Sequence, residues 1–199
     1  MNRQVEASIP TRWGNFRMIA FSDSEEEMMP HIAMVHENFD PKHPVYLRIH
    51  SECMTGDLFG SKRCDCGEQL AEALHVVAEK GGVVLYLRQE GRGIGLINKL
   101  KAYNLQDIGL NTADANVHLG LEVDSRQYGI AVDIMKDLGI KAIHLITNNP
   151  LKIEAIEDSS IQVVSRIPLV MEPIKENKAY LQTKEDLMGH FLNNKVKSK

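Results

Sequence analysis

At 199 residues, 43% hydrophobic and 25% charged, the chain is of one-domain size and can bury a proper core. A formal net charge of −4 argues against non-specific nucleic-acid binding, and no apolar run approaches the roughly 20 residues of a membrane helix. The N-terminal M-N-R-Q-V-E-A-S lacks the apolar core of a signal peptide, and three clustered cysteines make no disulfide framework, so the expectation is a reduced, cytoplasmic protein.

In chain order, Thr11–Phe16 reads as a turn into a strand at Phe16–Phe21. Asp23–Glu27 reads as a solvated acidic loop, Ile32–Val35 as a strand and Asp40–Pro44 as a turn. Val45–His50 alternates, which puts Val45, Leu47 and Ile49 on one face and Arg48 and His50 on the other; Glu52 joins the polar face if extended geometry persists.

The stretch His50–Cys66, H-S-E-C-M-T-G-D-L-F-G-S-K-R-C-D-C, holds every cysteine of the chain: Cys53, Cys64 and Cys66. Thiolates gathered this tightly suit a soft or borderline metal, with zinc the default. Three protein ligands leave the fourth position to water, as in catalytic zinc sites, whereas His50 as a fourth ligand would close a structural one. A redox pair at Cys64 and Cys66 is a further reading of the same spacing.

Gly67–Lys80 reads as a helix with Leu70, Leu74, Val77 and Ala78 as its buried stripe, stopped at Gly81-Gly82. Cys66 falls at the helix entrance, where the dipole favours a thiolate, and Gln69 in the first turn faces the same site. Val83–Leu87 is a continuous apolar strand that runs into R-Q-E-G-R-G-I-G and a helix from Leu96 to Asp107, a natural phosphate cradle. The G-x-G-x-G spacing matches neither the Walker A loop nor the dinucleotide fingerprint, and backbone geometry alone would explain the glycines. Arg88 and Arg92 add bidentate phosphate donors. Between Val84 and Tyr103, Arg88, Arg92, Lys99 and Lys101 face the single Glu90; a solvated helix face accounts for Lys99 and Lys101 but not for the arginines.

Thr112–Asn116 opens a short helix. Asp124-Ser125-Arg126 opens a longer one with stripe Tyr128, Ala131, Val132, Met135 and Leu138, closed by Gly139, for which Asp124 and Ser125 would be caps. Lys141–Thr147 is a strand, and Pro150 then starts a helix carrying Lys152. Thr147 and Lys152 read as anion or base contacts, with capping as the ordinary alternative. Ile161–Arg166 is a strand, Met171–Lys178 a loop, and Thr183–Asn193 a terminal helix with a T-x-x-D box at Thr183 and Asp186, before a frayed tail over 191–199. The alternation of strands and helices from residue 45 predicts one α/β domain over 1–199. The expected architecture is a mixed β-sheet with flanking helices and N-terminal antiparallel or barrel-like strands.

Taken together, R-I-H-S-E-C-M-T-G-D, R-C-D-C-G-E-Q-L, R-Q-E-G-R-G-I-G-L, D-S-R-Q-Y-G and L-I-T-N-N-P-L-K resemble GTP cyclohydrolase II, in that family's order and spacing, over Ile9–His190. The resemblance implies Zn²⁺ on Cys53, Cys64 and Cys66. It implies GTP contacts at Arg48, Ile49, His50, Ser51, Glu52, Gln69, Glu90, Gly91, Arg92, Thr112, Thr147 and Lys152. Tyr103 occupies the catalytic tyrosine position, Asp124 that of a proton acceptor and Arg126 that of a nucleophile on the α-phosphate. The family's reaction opens the guanine ring at C8, releases formate and pyrophosphate, and leaves 2,5-diamino-6-ribosylamino-4(3H)-pyrimidinone 5′-phosphate, the first step of riboflavin biosynthesis. Mg²⁺ at the triphosphate, a homodimer, and no nucleic-acid or membrane partner are implied with it. The family's domain is fused in many organisms to a dihydroxybutanone phosphate synthase, for which this chain has no room, so a stand-alone form is expected.

The chemistry suits the residues. A three-coordinate zinc lowers the pKa of its water to about 7, which supplies the nucleophile that ring opening needs. Tyr103 could orient the attacked carbon or relay a proton, with packing at a helix end as the alternative. An arginine with pKa above about 12 is a poor nucleophile, so stabilising phosphoryl charge is the easier role for Arg126. Gly109–Asp114, G-L-N-T-A-D, departs from a family stretch that often reads G-Y-D-T-V-E, while keeping Thr112 and an acid. Two rivals remain: a same-fold homologue with altered product or nucleobase substrate, and a zinc-stabilised nucleic-acid-binding module, which needs His50 as the fourth ligand.

Overall fold

The continuous apolar run around residue 85 becomes a strand buried on both faces, while the alternating V-Y-L-R-I-H of residues 45–50 becomes a neighbouring strand whose polar face is covered as well. The computed structural model describes residues 1–192. Its strands are β1 (Asn2–Thr11), β2 (Gly14–Ser22), β3 (His31–His36), β4 (Val45–Ser51), β5 (Val83–Leu87), β6 (Ala142–Ile146) and β7 (Gln162–Ile167). They form one seven-stranded sheet in the order β1-β2-β3-β5-β4-β6-β7. β1, β2, β3 and β5 pair antiparallel, while β5, β4, β6 and β7 pair parallel. The N-terminal strands are thus antiparallel, and the sheet is open rather than a barrel.

The helices are α1 (Met54–Asp57), α2 (Cys66–Lys80), α3 (Gly95–Asp107), α4 (Thr112–His118), α5 (Gly129–Asp137), α6 (Pro150–Glu157) and α7 (Lys178–Met188). They lie on both faces of the sheet. On one face Leu47, Ile49, Leu85 and Leu145 pack with Ile134 and Met135 of α5 and Ile156 of α6. On the other, Val84 and Ile146 pack with Ala73, Leu74 and Val77 of α2. Gly81 closes α2 in the left-handed conformation (φ 70°), as the glycine pair predicts. Among the described residues no helix is long and apolar enough to cross a membrane.

Four expectations need correction. β1 has no counterpart in the sequence reading because N-R-Q-V-E-A-S-I-P-T is exposed at most positions and shows no apolar alternation; it is held by pairing to β2 from Asn2↔Ser22 to Thr11↔Gly14. Asp124 and Ser125 do not cap a helix. α5 starts at Gly129 after Tyr128, because the Asp124 carboxylate is taken by the backbone and guanidinium of Arg126. Thr183 lies inside α7, which starts five residues earlier at Lys178, and Asp186 accepts from Gln182 Nε2 one turn back (2.9 Å). Of the tail read as frayed, Phe191 is tied by its N–H to the Asn148 carbonyl (2.9 Å), and 193–199 lie outside the described residues.

Candidate metal centre and anion pocket

Parallel strands β4, β5 and β6 end side by side, and the residues that follow them converge, the usual place for a site in an open α/β sheet. The chain leaves β4 through Glu52 and Cys53 into α1, and the loop after α1 delivers Cys64 and then Cys66 at the first position of α2. The three sulfurs lie within 4.8 Å of one another, with Cys53 Sγ and Cys64 Sγ 3.6 Å apart. Tetrahedral zinc with Zn–S near 2.3 Å places its sulfurs roughly 3.8 Å apart, so the cluster fits the ion. Gly56 makes room for it, since a Cβ there would stand 3.0 Å from Cys64 Sγ and 3.2 Å from Cys53 Sγ.

The charges point the same way. Hydrogen bonding from the Cys64 and Cys66 thiols, aided by the Lys99 ammonium, holds the Cys53 thiol far below its ordinary range. Its bond to Cys53 in turn pushes Cys64 up to about 11, and Cys66 is raised as well. Three sulfurs so close cannot all ionise until a cation joins them.

His50 is not part of this cluster. Its Nε2 stands 3.1 Å from both Asp57 carboxylate oxygens, and its ring stacks on Tyr86 at 5.5 Å. Burial lowers the His50 pKa despite the Asp57 partner, so Nε2 carries the proton and donates it. Asp57 also accepts from the Cys53 N–H (2.9 Å) and the Tyr86 hydroxyl (2.9 Å), which anchors the first thiolate's backbone.

The glycine-rich segment after β5 folds into a 3-10 turn, Glu90–Gly93, before α3. Glu90 organises it: its carboxylate accepts from the Met54 N–H (2.6 Å), the Gly91 N–H (2.7 Å) and Lys99 Nζ (2.8 Å). Lys99 also donates to Cys53 Sγ (3.1 Å). Lys99 is therefore no solvated residue but 9% exposed, a charge placed between turn and sulfur, whereas Lys101 is exposed as expected. One turn on, Tyr103 is half-buried beside it, with Lys99 Nζ 5.8 Å and Arg63 Cζ 4.9 Å from its ring. Tyr103 lines the pocket rather than closing a core.

Cations fill the other half. Arg48 donates to the Ile146 carbonyl (3.1 Å) and to Gln69 Oε1 (2.6 Å), and buried Lys152 donates to the Ile49 carbonyl (2.7 Å). Arg92 holds its backbone at φ +63°, the left-handed region, and both its terminal guanidinium nitrogens are buried without a partner among the described residues. Arg48, Arg92 and Lys152 form no ion pair with a carboxylate among the described residues, so three basic side chains without a salt bridge line one cavity. Burial, and then repulsion from Arg48, Arg126 and Lys184, pulls the Lys152 pKa well below its ordinary range. Such a pocket awaits an anion.

Arg126 is paired with Asp124, Nε donating to Oδ1 at 2.8 Å and the terminal nitrogen to Oδ2. Burial alone would weaken the Arg126 charge, but the Asp124 bond more than offsets it and the pKa is raised. The same pair overcomes the effect of burial on Asp124 and lowers its pKa.

Of the residues singled out in the sequence, Arg48, His50, Ser51, Glu52, Gln69, Glu90, Gly91, Arg92, Thr112, Thr147 and Lys152 line one pocket with the three cysteines, Tyr103 and Arg126. Asp124 stands behind Arg126. Ile49 does not line it: its side chain is in the core and its carbonyl takes the Lys152 ammonium. Arg88 is bound to Glu52 (2.7 Å) and supports the wall from behind. Sequence reasoning missed Asp57, Asp65, Tyr180, Lys184 and His190, and reached Lys99 only as part of a positive stretch that a solvated helix face would also explain. Lys99 had a local signal, being one helical turn before Tyr103 on the same face; Asp57 and Asp65 lay inside the cysteine stretch.

Three clustered cysteines and three basic residues without ion-pair partners among the described residues thus share one pocket at the ends of parallel strands. The chain belongs to the GTP cyclohydrolase II family, whose profile matches residues 2–168. It is 50% identical over 194 residues to the "Riboflavin biosynthesis protein RibBA" of Chlorobium phaeovibrioides, covering 97% of this chain and 47% of that protein. The protein of the same name from Bacillus mycoides is 51% identical over 194 residues, covering 97% of this chain and 49% of its own. The chain thus spans about half the length of the curated relatives it matches. A solved structure, RibBX, a two-domain 3,4-dihydroxy-2-butanone 4-phosphate synthase from A. baumannii, aligns with TM-score 0.46 and 17% identity over 86% of this chain and 40% of that one.

Proposed function

We propose that this chain is a zinc-dependent hydrolase that opens the guanine ring of GTP at C8 and releases formate and pyrophosphate. The observation that carries the reading is the one pocket in which Cys53, Cys64 and Cys66 form one end and the basic residues Arg48, Arg92 and Lys152, none of them ion-paired among the described residues, the other. A nucleoside triphosphate has the matching ends, a ring to be attacked and a polyanion to be held. Membership of the family and about 50% identity to proteins named for riboflavin biosynthesis support the same reaction.

Cys53, Cys64 and Cys66 would hold the zinc, which when bound would supply Lewis acidity and activate water near neutral pH. Asp57 and Lys99 hold Cys53 from its backbone and its sulfur. Tyr103, with its pKa raised by burial, keeps its proton and is placed to donate it as the ring opens. At the other end Arg92 and Lys152 take the phosphates. Arg126, locked as a cation by Asp124, stabilises charge on the α-phosphate as pyrophosphate leaves, in preference to attacking it. Asp124 accordingly acts through Arg126. Mg²⁺ arrives on the triphosphate. The working unit is a homodimer in the cytoplasm, and the exposed apolar side chains of Phe59, Ile97 and Ile108 offer surface for the dimer contact.

Removing zinc with a chelator and restoring it is the test. Loss of the guanine absorbance on incubation with GTP and Mg²⁺ should stop on removal and return on reconstitution. Ring opening that persists in metal-free protein would overturn the reading.

A further inference from the structure

The family profile ends at residue 168, yet the chain that follows returns to the site. We infer that the segment Lys178–His190 is a wall of the nucleotide pocket, with Lys184 and His190 placed to meet the ligand's phosphates. The inference rests on the reading that this pocket takes a nucleoside triphosphate, and it adds the recognition elements that the profile-matched region does not contain.

Three contacts seat the segment. Lys184 Nζ donates to Asp65 Oδ1 at 2.7 Å, and Asp65 stands between the ligands Cys64 and Cys66; the two residues are 8% and 1% exposed. The Tyr180 ring lies 4.5 Å from Lys184 Nζ and 5.7 Å from Arg92 Cζ, so it bridges α7 to the glycine-rich turn. Beyond the helix, the Phe191 N–H on the Asn148 carbonyl (2.9 Å) fixes the exit that carries His190. Tyr180, Lys184 and His190 line the same pocket as Arg92, Arg126 and Lys152.

The charge balance says what the wall faces. Asp65 already answers Lys184 and Asp124 answers Arg126, so no carboxylate among the described residues is left for Arg92 or Lys152. The imidazole of His190 stands among these cations and is held neutral by burial and by their field. Asp65 thus seats Lys184, while His190 stands beside Arg92 and Lys152, which have no ion-pair partner among the described residues. A polyphosphate neutralises that field, gives His190 an acceptor, and draws the segment onto the site.

Hydrogen exchange of the full chain with inorganic triphosphate, read over residues 178–190, tests this directly. Triphosphate should slow exchange there, and His190→Ala should weaken its binding about tenfold while zinc content stays at one per chain. Because Lys184→Ala would strand Asp65 beside two metal ligands, His190 carries the mutational test and the exchange measurement needs no variant. Triphosphate binding with no protection of 178–190 and an unchanged Kd in His190→Ala would overturn the inference, as would failure of triphosphate to bind. GTP turnover is scored separately. Protection without ring opening keeps the wall and loses the proposed reaction; ring opening without protection does the reverse.

Discussion

His50 turns its Nε2 to both oxygens of Asp57, 3.1 Å from each, and away from the three sulfurs. One carboxylate thereby occupies the only histidine of the cysteine stretch and also holds the Cys53 N–H. His50→Ala should keep one zinc per chain after exhaustive dialysis, measured by atomic absorption. Loss of the metal would mean that His50 is a ligand after all and would favour a closed, structural site.

Asp57→Ala has the opposite expectation. It leaves the Cys53 N–H and the Tyr86 hydroxyl without their acceptor, and partners of this kind cost roughly 10- to 100-fold in metal affinity when lost. Chelator competition reads the change. An affinity equal to wild type would show that Asp57 does not support the centre.

Gly56→Ala tests the same centre by shape. The added methyl meets Cys64 Sγ at 3.0 Å, Cys53 Sγ at 3.2 Å and Cys66 Cβ at 3.2 Å, positions that a bound zinc would fix. Zinc affinity should fall by about tenfold or more, equivalent to about 1.4 kcal/mol, with the far-ultraviolet circular dichroism intact.

Arg92 sits at φ +63° next to Gly91 at φ +62°, a conformation that costs a side-chain-bearing residue about 1 kcal/mol or more. Arg92→Gly removes that strain together with the cation. The melting temperature should hold or rise by up to about 4 °C, while the KM for GTP rises about tenfold or more. An unchanged KM would remove Arg92 from the phosphate contacts.

His190 makes a pH prediction. Its folded pKa is pushed from 6.5 to about 3 by burial, then by Lys184, Arg126, Lys152 and Arg92. Between those values the unfolded chain binds a proton that the folded one refuses, so stability is full above pH 6.5 and falls as the pH drops toward 3. The melting temperature of His190→Gln should fall less over that interval than that of wild type. Parallel curves would place the imidazole in solvent.

Much of this architecture was written locally. Val45–His50 declared its strand because a central strand needs apolar residues at each second position, and the same alternation correctly put Arg48 and His50 together on the site face. The alternation could not say that this face is also buried, since the cover comes from the helices after the cysteines; Arg48 is 5% exposed and His50 2%. The cysteine cluster was legible because its three members lie on one short stretch of chain. β1 was not, because an edge strand with exposed polar residues carries no period. Asp124 looked like a cap because a cap and an arginine partner use the same residue type. Lys184 had no local signal at all: its partner Asp65 lies 119 residues away in the chain.

In the proposed reaction one pocket joins ring opening at the cysteine end to phosphate chemistry at the cation end. The most direct measurement is to incubate zinc-loaded protein with GTP and Mg²⁺ and identify every small product by mass. Formate, pyrophosphate and the diaminopyrimidine monophosphate are expected in equal amounts, and no formate from Cys64→Ser. Pyrophosphate with an intact purine, or no turnover with zinc bound, would contradict the proposed reaction.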